Sequence, residues 1–553
     1  MQFNDVERAS VQGRGTRIAR VLCSEAGRLF YPAALAFAFS LISGRHGALA
    51  ADENSVSTIR LHAAEPITVA PPALLYAIDD HAIPLTRGLT LEMSRPEKHV
   101  QNPIVRRGRA GSLDDHRAEG SAVLYHDGKW RMWYLAWPAS GMPRVAYAAS
   151  DDGLRWSKPR LDLVEWNGSK HNNLLAAEPG LATIAILHDA DAPQERRYVM
   201  VGEDARRWQG SGAWDLRSRR SATRIDVSPD GLRWRTISTD ATIGQQNETL
   251  TIYRFKGQYH LGGHQISPLL RLPLQHYDLG GYLGPRAMVV WRSPRLDRWP
   301  PENCKAFFKP QQSSSPHVKQ WDREEVHLGA TVTSMNNVCL GIYGQWHHPT
   351  NPGAPEYHAK SVSADLGLLV SNDGLHFREP APGYHFLERD QERAWETTDG
   401  KLSPDNLMLL QGSLVNTPTR THVYYSASTA GGNTELVHGN IGLATLPRDR
   451  FGCLRLCPGT PDGQLLTCPI ELNFPCSLYV NAEIPSGSEI RLSLTEQHGL
   501  DELAGFSGDK AAVLRRSGLD LPVKWQTVLP RARRFCIRAD LRGQAKLFAL
   551  TLR

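Results

Sequence analysis

Short apolar runs, each ended by a turn, dominate the chain after residue 50. In the most regular stretch, two predicted strands at 121–126 and 130–137 are joined by Asp127-Gly128-Lys129, and a third predicted strand follows at 144–149. Strands of about four to eight residues separated by Asp-Gly turns are typical of antiparallel sheets. Because helical periodicity is weak throughout this region, the pattern predicts an all-β protein.

One seven-residue phrase recurs five times along the chain. It reads Ser-Asp-Asp-Gly-Leu-Arg-Trp at 150–156, and related copies begin at Ser228, Ser293, Ser371 and Thr445, 65 to 78 residues apart. The glycine supplies a positive φ for the turn, and the aromatic residue three positions later begins the return strand and packs under that turn. Two further strands precede most copies, so each unit is one antiparallel blade. Five copies predict a five-bladed β-propeller over residues 101–452, rather than a β-sandwich with a chance motif.

The segments around the repeat predict further parts of the fold. Residues 51–100 form a lead-in segment that we expect to wrap or close the ring, and residues 453–469, rich in Gly, Pro and Cys, read as a linker. Several short apolar runs within 470–553 predict a small β-sandwich. Whether such a sandwich braces the propeller or binds carbohydrate stays open.

Residues 1–50 read as a signal peptide. Five arginines between positions 8 and 28 precede an apolar run from Leu29 to Ile42, and Ala48-Leu49-Ala50 places small residues at the −3 and −1 positions of a cleavage site. The run has 14 residues, whereas a membrane helix needs about 20. We therefore expect cleavage, no stable membrane span, and a secreted or periplasmic protein; an uncleaved anchor is the alternative.

Composition and charge exclude some partners. The 553 residues are 41% hydrophobic and 22% charged, which is typical of a globular protein. The net charge of +6 falls to +3 without residues 1–50, and the remainder has no dense Lys/Arg run. Because nucleic-acid binding needs clustered cations, we expect no nucleic-acid partner. The oligomeric state is not predicted.

Cysteines concentrate in one part of the chain. Seven follow residue 50, and four of these lie between Cys453 and Cys476. In an oxidising compartment this crowding favours one or two disulfides, while the odd total leaves at least one thiol unpaired. A zinc site is the less favoured interpretation, because the segment lacks the tight paired spacing of a zinc ribbon.

The chain resembles the five-bladed propellers of glycoside hydrolase families 32 and 43 that carry a C-terminal sandwich, and most of all a secreted, family-32-like bacterial branch. The resemblance covers roughly 75–550. Its matching stretches are 79–81, 98–103, 128–134, 152–159, 167–173, 441–446 and 478–482. It implies a site at the mouth of the channel, where relatives use an acidic residue from each of the first three blades.

Acidic residues just before the innermost strands are the catalytic candidates, because glycoside hydrolysis needs two carboxylates across the scissile bond. Asp114, Asp115 and Glu119 precede the first strand of blade one, and we predict Asp115 as the base or nucleophile. Glu248 directly precedes a strand of blade three among uncharged neighbours, and we predict it as the general acid. A third acid would come from Glu325 or Glu396. The alternative for each is a solvated loop or strand-edge acid.

Polar and aromatic residues near the same strand ends are candidates for binding sugar hydroxyls and sugar C–H faces. The predicted substrate-binding residues are Asn173, Asn247, His327, His347, Glu396 and Trp137. His327 together with His347 or His348 is a possible metal pair, but adjacent strand residues point to opposite faces, so His347 and His348 cannot both bind one ion. We therefore expect hydrogen bonds to sugar or to backbone, and no metal or cofactor.

The sequence thus predicts a secreted glycoside hydrolase that acts on a plant or microbial glycan by paired-carboxylate catalysis in the propeller channel. A non-catalytic carbohydrate-binding propeller is the first alternative, because the invertase motifs Trp-Met-Asn-Asp-Pro-Asn-Gly, Arg-Asp-Pro and Glu-Cys-Pro do not occur. A protein-interaction scaffold is the second, since one fold serves many functions.

Overall fold

A computed structural model of the chain describes residues 56–63, 66–207, 223–239, 241, 248–266, 286–300, 303–307, 325–347, 363–389, 407–430 and 436–553. Within these residues there are β-strands, no α-helix, and short 3₁₀ turns at Gln194–Arg196, Ala205–Arg207 and Gly508–Lys510. The all-β prediction is confirmed. The predicted signal peptide lies outside the described residues, and no described helix is long and apolar enough to cross a membrane.

Six short strands precede the repeat. They are β1 (Ile59–Leu61), β2 (Ile67–Val69), β3 (Ala73–Tyr76), β4 (Leu85–Arg87), β5 (Leu89–Met93) and β6 (Glu97–Lys98).

The described strands between residues 117 and 447 pair into four sheets, and the last of these contains two antiparallel three-stranded units joined by one parallel bridge between Ala364 and Met408. The resulting antiparallel units are here called blades 1 to 5 in chain order. Blade 1 contains β7 (Arg117–His126), β8 (Lys129–Trp137) and β9 (Arg144–Ser150). Blade 2 contains β10 (Ala185–His188), β11 (Tyr198–Glu203), β12 (Thr223–Ser228) and β13 (Arg235–Ser238). Blade 3 contains β14 (Glu248–Phe255), β15 (Gln258–Ile266), β16 (Arg286–Ser293) and β17 (Cys304–Phe307). Blade 4 contains β18 (Glu325–Met335), β19 (Val338–His347) and β20 (Ser363–Ser371), and blade 5 contains β21 (Leu407–Asn416), β22 (Arg420–Ala430) and β23 (Leu436–Pro447).

The first strands of the blades form a closed ring. β7 contacts β10, β10 contacts β14, β14 contacts β18, β18 contacts β21, and β21 returns to β7. Hydroxyl groups tie neighbouring strands together: Val332 N donates to Thr251 Oγ1 at 3.1 Å, and Val123 N donates to Ser413 Oγ at 2.8 Å. A ring of radial antiparallel sheets is a β-propeller, as the repeat predicted.

The repeated phrase folds as a tight turn held by its own side chains. Gly153 has a φ of +74°, as expected for this turn. Ser150 Oγ accepts a hydrogen bond from Gly153 N at 2.9 Å, while Asp152 Oδ1 accepts from the N–H groups of Leu154 and Arg155 at 2.9 and 2.7 Å. The copies that begin at Ser228 and Ser371 repeat these bonds, because their serine, aspartate and glycine occupy the same positions.

The same turns connect one blade to the next. The glycine carbonyl of the turn accepts a hydrogen bond from an aromatic side chain of the preceding blade in three places: Tyr424 to Gly153 at 2.7 Å, Trp133 to Gly231 at 2.7 Å, and Tyr253 to Gly374 at 2.5 Å. A buried aromatic that also satisfies a turn carbonyl stabilises both packing and turn geometry. The repeat therefore encodes the joints between blades as well as the blades.

The tryptophans of the repeated phrase pack under their turns as predicted. The indole N–H groups of Trp156, Trp234 and Trp299 donate to carbonyls of their own turns at 3.2, 3.0 and 2.7 Å. Trp299 is fully buried, whereas Trp156 and Trp234 are half-buried at the outer edge of their blades.

The lead-in segment divides between two domains. β6 pairs with β23, with Lys98 opposite Ala444, and so adds an outer strand to blade 5. β1 to β5 instead join the C-terminal sandwich, where β1 pairs with the later strand β26 (Ile470–Leu472) and β3 pairs with β32 (Lys546–Leu552). These pairings join residues more than 400 positions apart, so no local sequence pattern could predict them.

The linker prediction for 453–469 is wrong. The segment contains β24 (Gly452–Leu456) and β25 (Asp462–Leu466), which pair with β5 and β4 respectively. Leu454 and Leu465 are buried in the sandwich core. The strands are short and separated by a Pro-Gly turn. The high Gly, Pro and Cys content of the segment therefore outweighed the alternation of apolar residues in the sequence-based prediction.

The sandwich has two sheets around one apolar core. Its remaining strands are β27 (Leu478–Glu483), β28 (Glu489–Glu496), β29 (Ala512–Leu514), β30 (Gly518–Pro522) and β31 (Arg534–Arg542). One sheet has the order β2-β1-β26-β31-β25-β4 with β28 and β29 beside β31, and the other has the order β30-β27-β32-β24-β5 with β3 beside β32. Six described cysteines are free thiols, so the predicted disulfides are not formed among them.

The sandwich side of the molecule contacts the turn edge of blades 4 and 5. Asp79 is fully buried and binds Arg378 at 2.6 Å and Asn372 at 2.8 Å, both beside the fourth copy of the phrase. Tyr76 donates to Asp449 in the fifth copy at 2.9 Å. These contacts leave the opposite edge of the blades, where the first strands begin, outside this interface.

Replacing Gly231 tests whether the joint between turn and aromatic residue stabilises the ring. An added Cβ would lie 2.9 Å from the Trp133 ring, at a φ of +76°. Gly257 has a φ of +73° with nothing near its Cβ, so Gly257→Ala is the matched control. We expect Gly257→Ala to cost about 1–2 kcal/mol of unfolding free energy from backbone strain, and Gly231→Ala to cost a further ~1–3 kcal/mol from the clash. Equal urea midpoints for the two variants would contradict the role of this joint.

Candidate functional site

Polar side chains collect at one edge of the ring. In an antiparallel blade the first strand begins, the second ends and the third begins at the same edge, here called the entrance face. The buried polar residues on this face are Arg117, Glu119, Glu203, Asp204, Thr223, Arg224, Asp226, His264, His327, Gln345, Asp365, Gln411, Ser426 and Ser428. Burial of so many polar groups is costly unless they are paired, and such departures from an apolar core are expected at functional sites.

Bulges aim side chains at this face. The pairing register shifts near the start of β7, β14, β18 and β21. In β18 the shift follows His327, and a Cβ at Gly329 would lie 2.5 Å from the backbone of Gly263 on β15. A bulge bends a strand and redirects its side chains, which is why bulges are frequent beside active sites. Glu119, His327 and Gln411 each stand immediately before such a shift.

Glu248 lies at the junction of blades 3 and 4. It begins β14 opposite His264 of β15, and its Oε2 atom is 3.7 Å from His264 Nε2. The Glu248 side chain is 17% exposed, while His264 is 2% exposed. The His264 ring centre is 6.3 Å from that of His327, which in turn lies 4.6 Å from that of Trp346. The structure therefore brings two predicted site residues, Glu248 and His327, into one cluster.

Glu119 lies at the junction of blades 1 and 5. Its Oε1 atom is 2.9 Å from Arg117 Nη1, and its Oε2 atom accepts from Ser428 Oγ at 2.7 Å. The Arg117 guanidinium stacks 4.0 Å above the ring of Trp137, the predicted sugar-stacking residue. The sequence analysis preferred Asp115 to Glu119 because the predicted strand began at residue 121. In the structure β7 begins at Arg117, so Glu119 lies within the strand. The alternation Arg117-x-Glu119 is the signal that identifies both residues.

Asp115, predicted as the base or nucleophile, holds two loops together. Its carboxylate oxygens accept from Gly111 N at 2.8 Å and Ala139 N at 2.7 Å, and its backbone carbonyl accepts from the Arg107 guanidinium at 2.8 Å. Both oxygens therefore satisfy backbone donors, as in a loop-fixing residue. This geometry favours the structural alternative for Asp115.

Asn173, predicted to bind substrate, is buried in blade 1 and hydrogen-bonded to neighbouring residues there. It is 4% exposed, and its amide donates to Tyr134 Oη at 3.0 Å and to the carbonyl of Tyr147 at 2.7 Å. Tyr134 also donates to buried Asp114, and burial followed by the Asp114 charge raises the pKa of Tyr134 well above its usual value. Both amide hydrogens face protein acceptors, which favours a structural role for Asn173; its substrate-binding role stays a prediction.

Blade 2 contributes a buried ion-pair cluster that the sequence did not single out. Arg224 is fully buried, lies 3.1 Å from Asp226 and 3.9 Å from Asp204, and donates to the carbonyls of Glu178 and Pro179. Burial raises the pKa of Asp226 in spite of the nearby Arg224 charge. The alternation of Arg224 and Asp226 along one strand was the available signal.

His347, predicted to bind substrate, belongs to a cluster in blade 4. Its Nε2 atom is 2.9 Å from Asp365 Oδ2, and the same oxygen is 2.6 Å from Arg389 Nη1. Burial acts to raise the pKa of Asp365, but the hydrogen bond from His347 and the charge of Arg389 outweigh it and hold that pKa below its usual value. His385 completes the cluster, with its Nδ1 atom 3.9 Å from Asp365 Oδ2.

Three predicted residues lie partly or wholly outside this description. Asn247 and Glu396 fall outside the described residues. Glu325 begins β18 with its backbone opposite Trp346. The roles given to these three residues stay predictions.

The proteins that resemble this chain are solved structures of low sequence identity. No family model and no curated protein matches the chain. Solved structures that resemble it include a putative glycoside hydrolase from Bacteroides ovatus, at 15% identity over 63% of this chain and 96% of that chain with a TM-score of 0.39. Another, from work on glycoside hydrolases of the GH130 family that target β-1,2 mannosidic linkages in Candida mannan, has 14% identity over 65% and 97% with a TM-score of 0.38. A thermostable family-43 glycoside hydrolase has 11% identity over 62% and 92% with a TM-score of 0.37. Such values carry no argument about activity, and the family-32-like branch stays a prediction.

Replacing Asp115 distinguishes a loop-fixing role from a catalytic one. Asp115→Asn removes one of the two acceptors that face backbone N–H groups, so we expect a loss of about 1–3 kcal/mol in unfolding free energy. Asp151→Asn, at an exposed acid of the same blade, is the control and should leave stability unchanged. Denaturant unfolding measures both. Wild-type stability in Asp115→Asn together with lost glycan turnover would return Asp115 to the catalytic candidates.

Proposed function

We propose that the protein hydrolyses glycosidic bonds at the entrance face, with Glu248 as the general acid. The observation that carries this proposal is the partial exposure of Glu248. Its side chain is 17% exposed, against 5% for Glu119, 7% for Asp365 and 2% for Asp226. A general acid must reach the leaving oxygen while it remains sheltered from bulk water. Among these described carboxylates of the entrance face, Glu248 best combines shelter with access.

The neighbours of the carboxylates suggest separate roles. Glu248 faces the imidazole of His264, which is 2% exposed and therefore fixed in place. Glu119 faces the guanidinium of Arg117. Together with the Ser428 hydroxyl, this guanidinium holds the Glu119 carboxylate in one orientation beneath the entrance face. We therefore assign Glu119 as the second carboxylate in place of Asp115, whose oxygens hold the loop amides of Gly111 and Ala139.

A carbohydrate substrate suits the other groups of this face. Trp137 is partly exposed and lies against the Arg117 guanidinium, and aromatic rings pack against the C–H faces of sugars. The proposed substrate is a plant or microbial glycan outside the cell, the location that the signal sequence at 1–50 predicts.

A non-catalytic carbohydrate-binding propeller is the second candidate. It is favoured by the engagement of both Glu119 oxygens with Arg117 and Ser428. A nucleophile or base held in this way must exchange a partner before it reacts, whereas a binding surface needs no such exchange.

The role of Glu248 predicts how its loss depends on the leaving group. On a substrate with an unactivated alcohol leaving group, Glu248→Gln should lower kcat/KM by about 100-fold or more, because that group needs a proton. On the matching glycosyl fluoride, which departs with little help, the same variant should lose less than tenfold. Glu119→Gln should lose activity on both substrates, because cleavage of either one requires attack at the anomeric carbon whichever group leaves.

The measurement is initial-rate kinetics of the full chain on glycans that the wild type cleaves in a polysaccharide panel. Glu165→Gln, at an exposed acid of blade 1, is the control and should match the wild type. Equal losses for Glu248→Gln on both leaving groups would remove Glu248 from the acid role. Glycan binding by wild type without product would favour the binding function.

A further inference from the structure

The cluster in blade 4 has the composition of a metal site. Nε2 of His347, a carboxylate oxygen of Asp365 and Nδ1 of His385 all lie within 4.8 Å of one another. They come from the end of β19, the start of β20 and the segment that follows β20. The Asp365 side chain is 7% exposed, and those of His347 and His385 are 18% and 30% exposed. The three donors are therefore sheltered and still reachable from solvent.

A fourth donor is already oriented toward the cluster. Gln345 is fully buried, and its amide nitrogen donates to Tyr343 Oη at 3.1 Å and to the carbonyl of Tyr384 at 3.2 Å. These bonds point the amide oxygen at His385 Nδ1, 2.6 Å away. Gly367 makes room for this arrangement, since a Cβ there would lie 2.2 Å from the Tyr343 ring. The surrounding shell thus fixes a set of two imidazole nitrogens, one carboxylate oxygen and one amide oxygen.

In this cluster the positive charge beside the Asp365 carboxylate is the Arg389 guanidinium. Its guanidinium binds Asp365 Oδ2 at 2.6 Å, while its backbone N–H binds Oδ1 at 2.6 Å. The Arg389 side chain is 24% exposed, so it can turn toward water while its backbone keeps Asp365 in place. A divalent cation at Oδ2 would then replace one positive charge by two beside the same carboxylate.

We propose that His347, Asp365 and His385 bind a zinc ion, with the Gln345 amide oxygen as the fourth ligand and with displacement of the Arg389 guanidinium. Zinc prefers imidazole and carboxylate ligands in a tetrahedron, at about 2.0–2.2 Å. Such bonds place donor atoms about 3.4 Å apart. The pairs His347–Asp365 at 2.9 Å and Gln345–His385 at 2.6 Å therefore have to move apart, while Asp365 and His385, at 3.9 Å, have to approach each other. The imidazole nitrogens must lose any proton they carry, so binding releases protons to solvent.

The proposed site departs from the expectation of no metal and gives His347 different partners from those that the sequence suggested. The sequence paired His347 with His327, but His327 lies in the cluster of Glu248 and His264. The donors belong to β19, β20 and the segment after them rather than to the first strands that form the ring. Zinc binding does not depend on the proposed hydrolysis, and its expected effect is to tie three parts of blade 4 together.

Isothermal titration of the full, chelator-treated chain with zinc chloride tests the proposal. We expect one strong site in the wild type, and a loss of affinity of about 100-fold or more in His385→Ala and Asp365→Asn. His376→Ala is the control, because this exposed histidine pairs with Asp373 away from the cluster, and its zinc affinity should be unchanged. Circular dichroism of each variant checks that the fold is kept.

Arg389→Ala gives the sharpest result, because zinc binding and a purely structural ion pair predict opposite changes. Removal of a competing cation should raise zinc affinity several-fold and increase the thermal stabilisation that zinc provides. If the cluster were only an Arg–Asp–His ion-pair network, Arg389→Ala would bind no zinc. Absence of a strong site in the wild type, equal affinity in His385→Ala, or calcium binding in place of zinc would each overturn the proposal.

Discussion

Closure of the ring between the last blade and the first is the constraint on which the rest of the structure depends. Val123 N binds Ser413 Oγ at 2.8 Å, and Gly120 N binds Ser426 Oγ at 3.0 Å, so hydroxyls of blade 5 satisfy donors of β7. Strand β6, which precedes blade 1 in the chain, adds to the outer edge of blade 5. Each blade of a propeller keeps a short strand edge, and β6 covers the outer edge of blade 5 that this joint would otherwise leave open. The same joint holds Glu119, so the geometry of the entrance face depends on it.

Buried charge at the entrance face comes in small, separate groups. Blade 1 pairs Arg117 with Glu119, blade 2 surrounds Arg224 with two aspartates, and blade 4 pairs Arg389 with Asp365. Removal of one partner from such a group leaves an uncompensated charge, so each pair fixes its neighbours in one arrangement. Glu248 differs from these carboxylates in its greater exposure, and the general-acid role proposed for it rests on that difference.

The sequence predicted the features that short-range chemistry determines. The repeated phrase predicted the turns, because serine, aspartate and glycine satisfy each other within seven residues. It could not predict that residues 59–93 pair with the C-terminal sandwich, because those hydrogen bonds join distant segments. The choice of Asp115 over Glu119 arose from a strand boundary placed four residues late. The structural partners of Asn173, Tyr134 and Tyr147, could not be predicted because they come from other strands of the same blade.

The most direct test of the central claim is to map where a glycan touches the protein. Hydrogen–deuterium exchange of the full chain, with and without a saturating oligosaccharide, reports this for every segment of the backbone. We expect slower exchange in peptides that cover 117–122, 248–252 and 261–266, where the first strands of blades 1 and 3 and the second strand of blade 3 meet the entrance face. Protection confined to the sandwich or to the turn edge of blades 4 and 5 would contradict it.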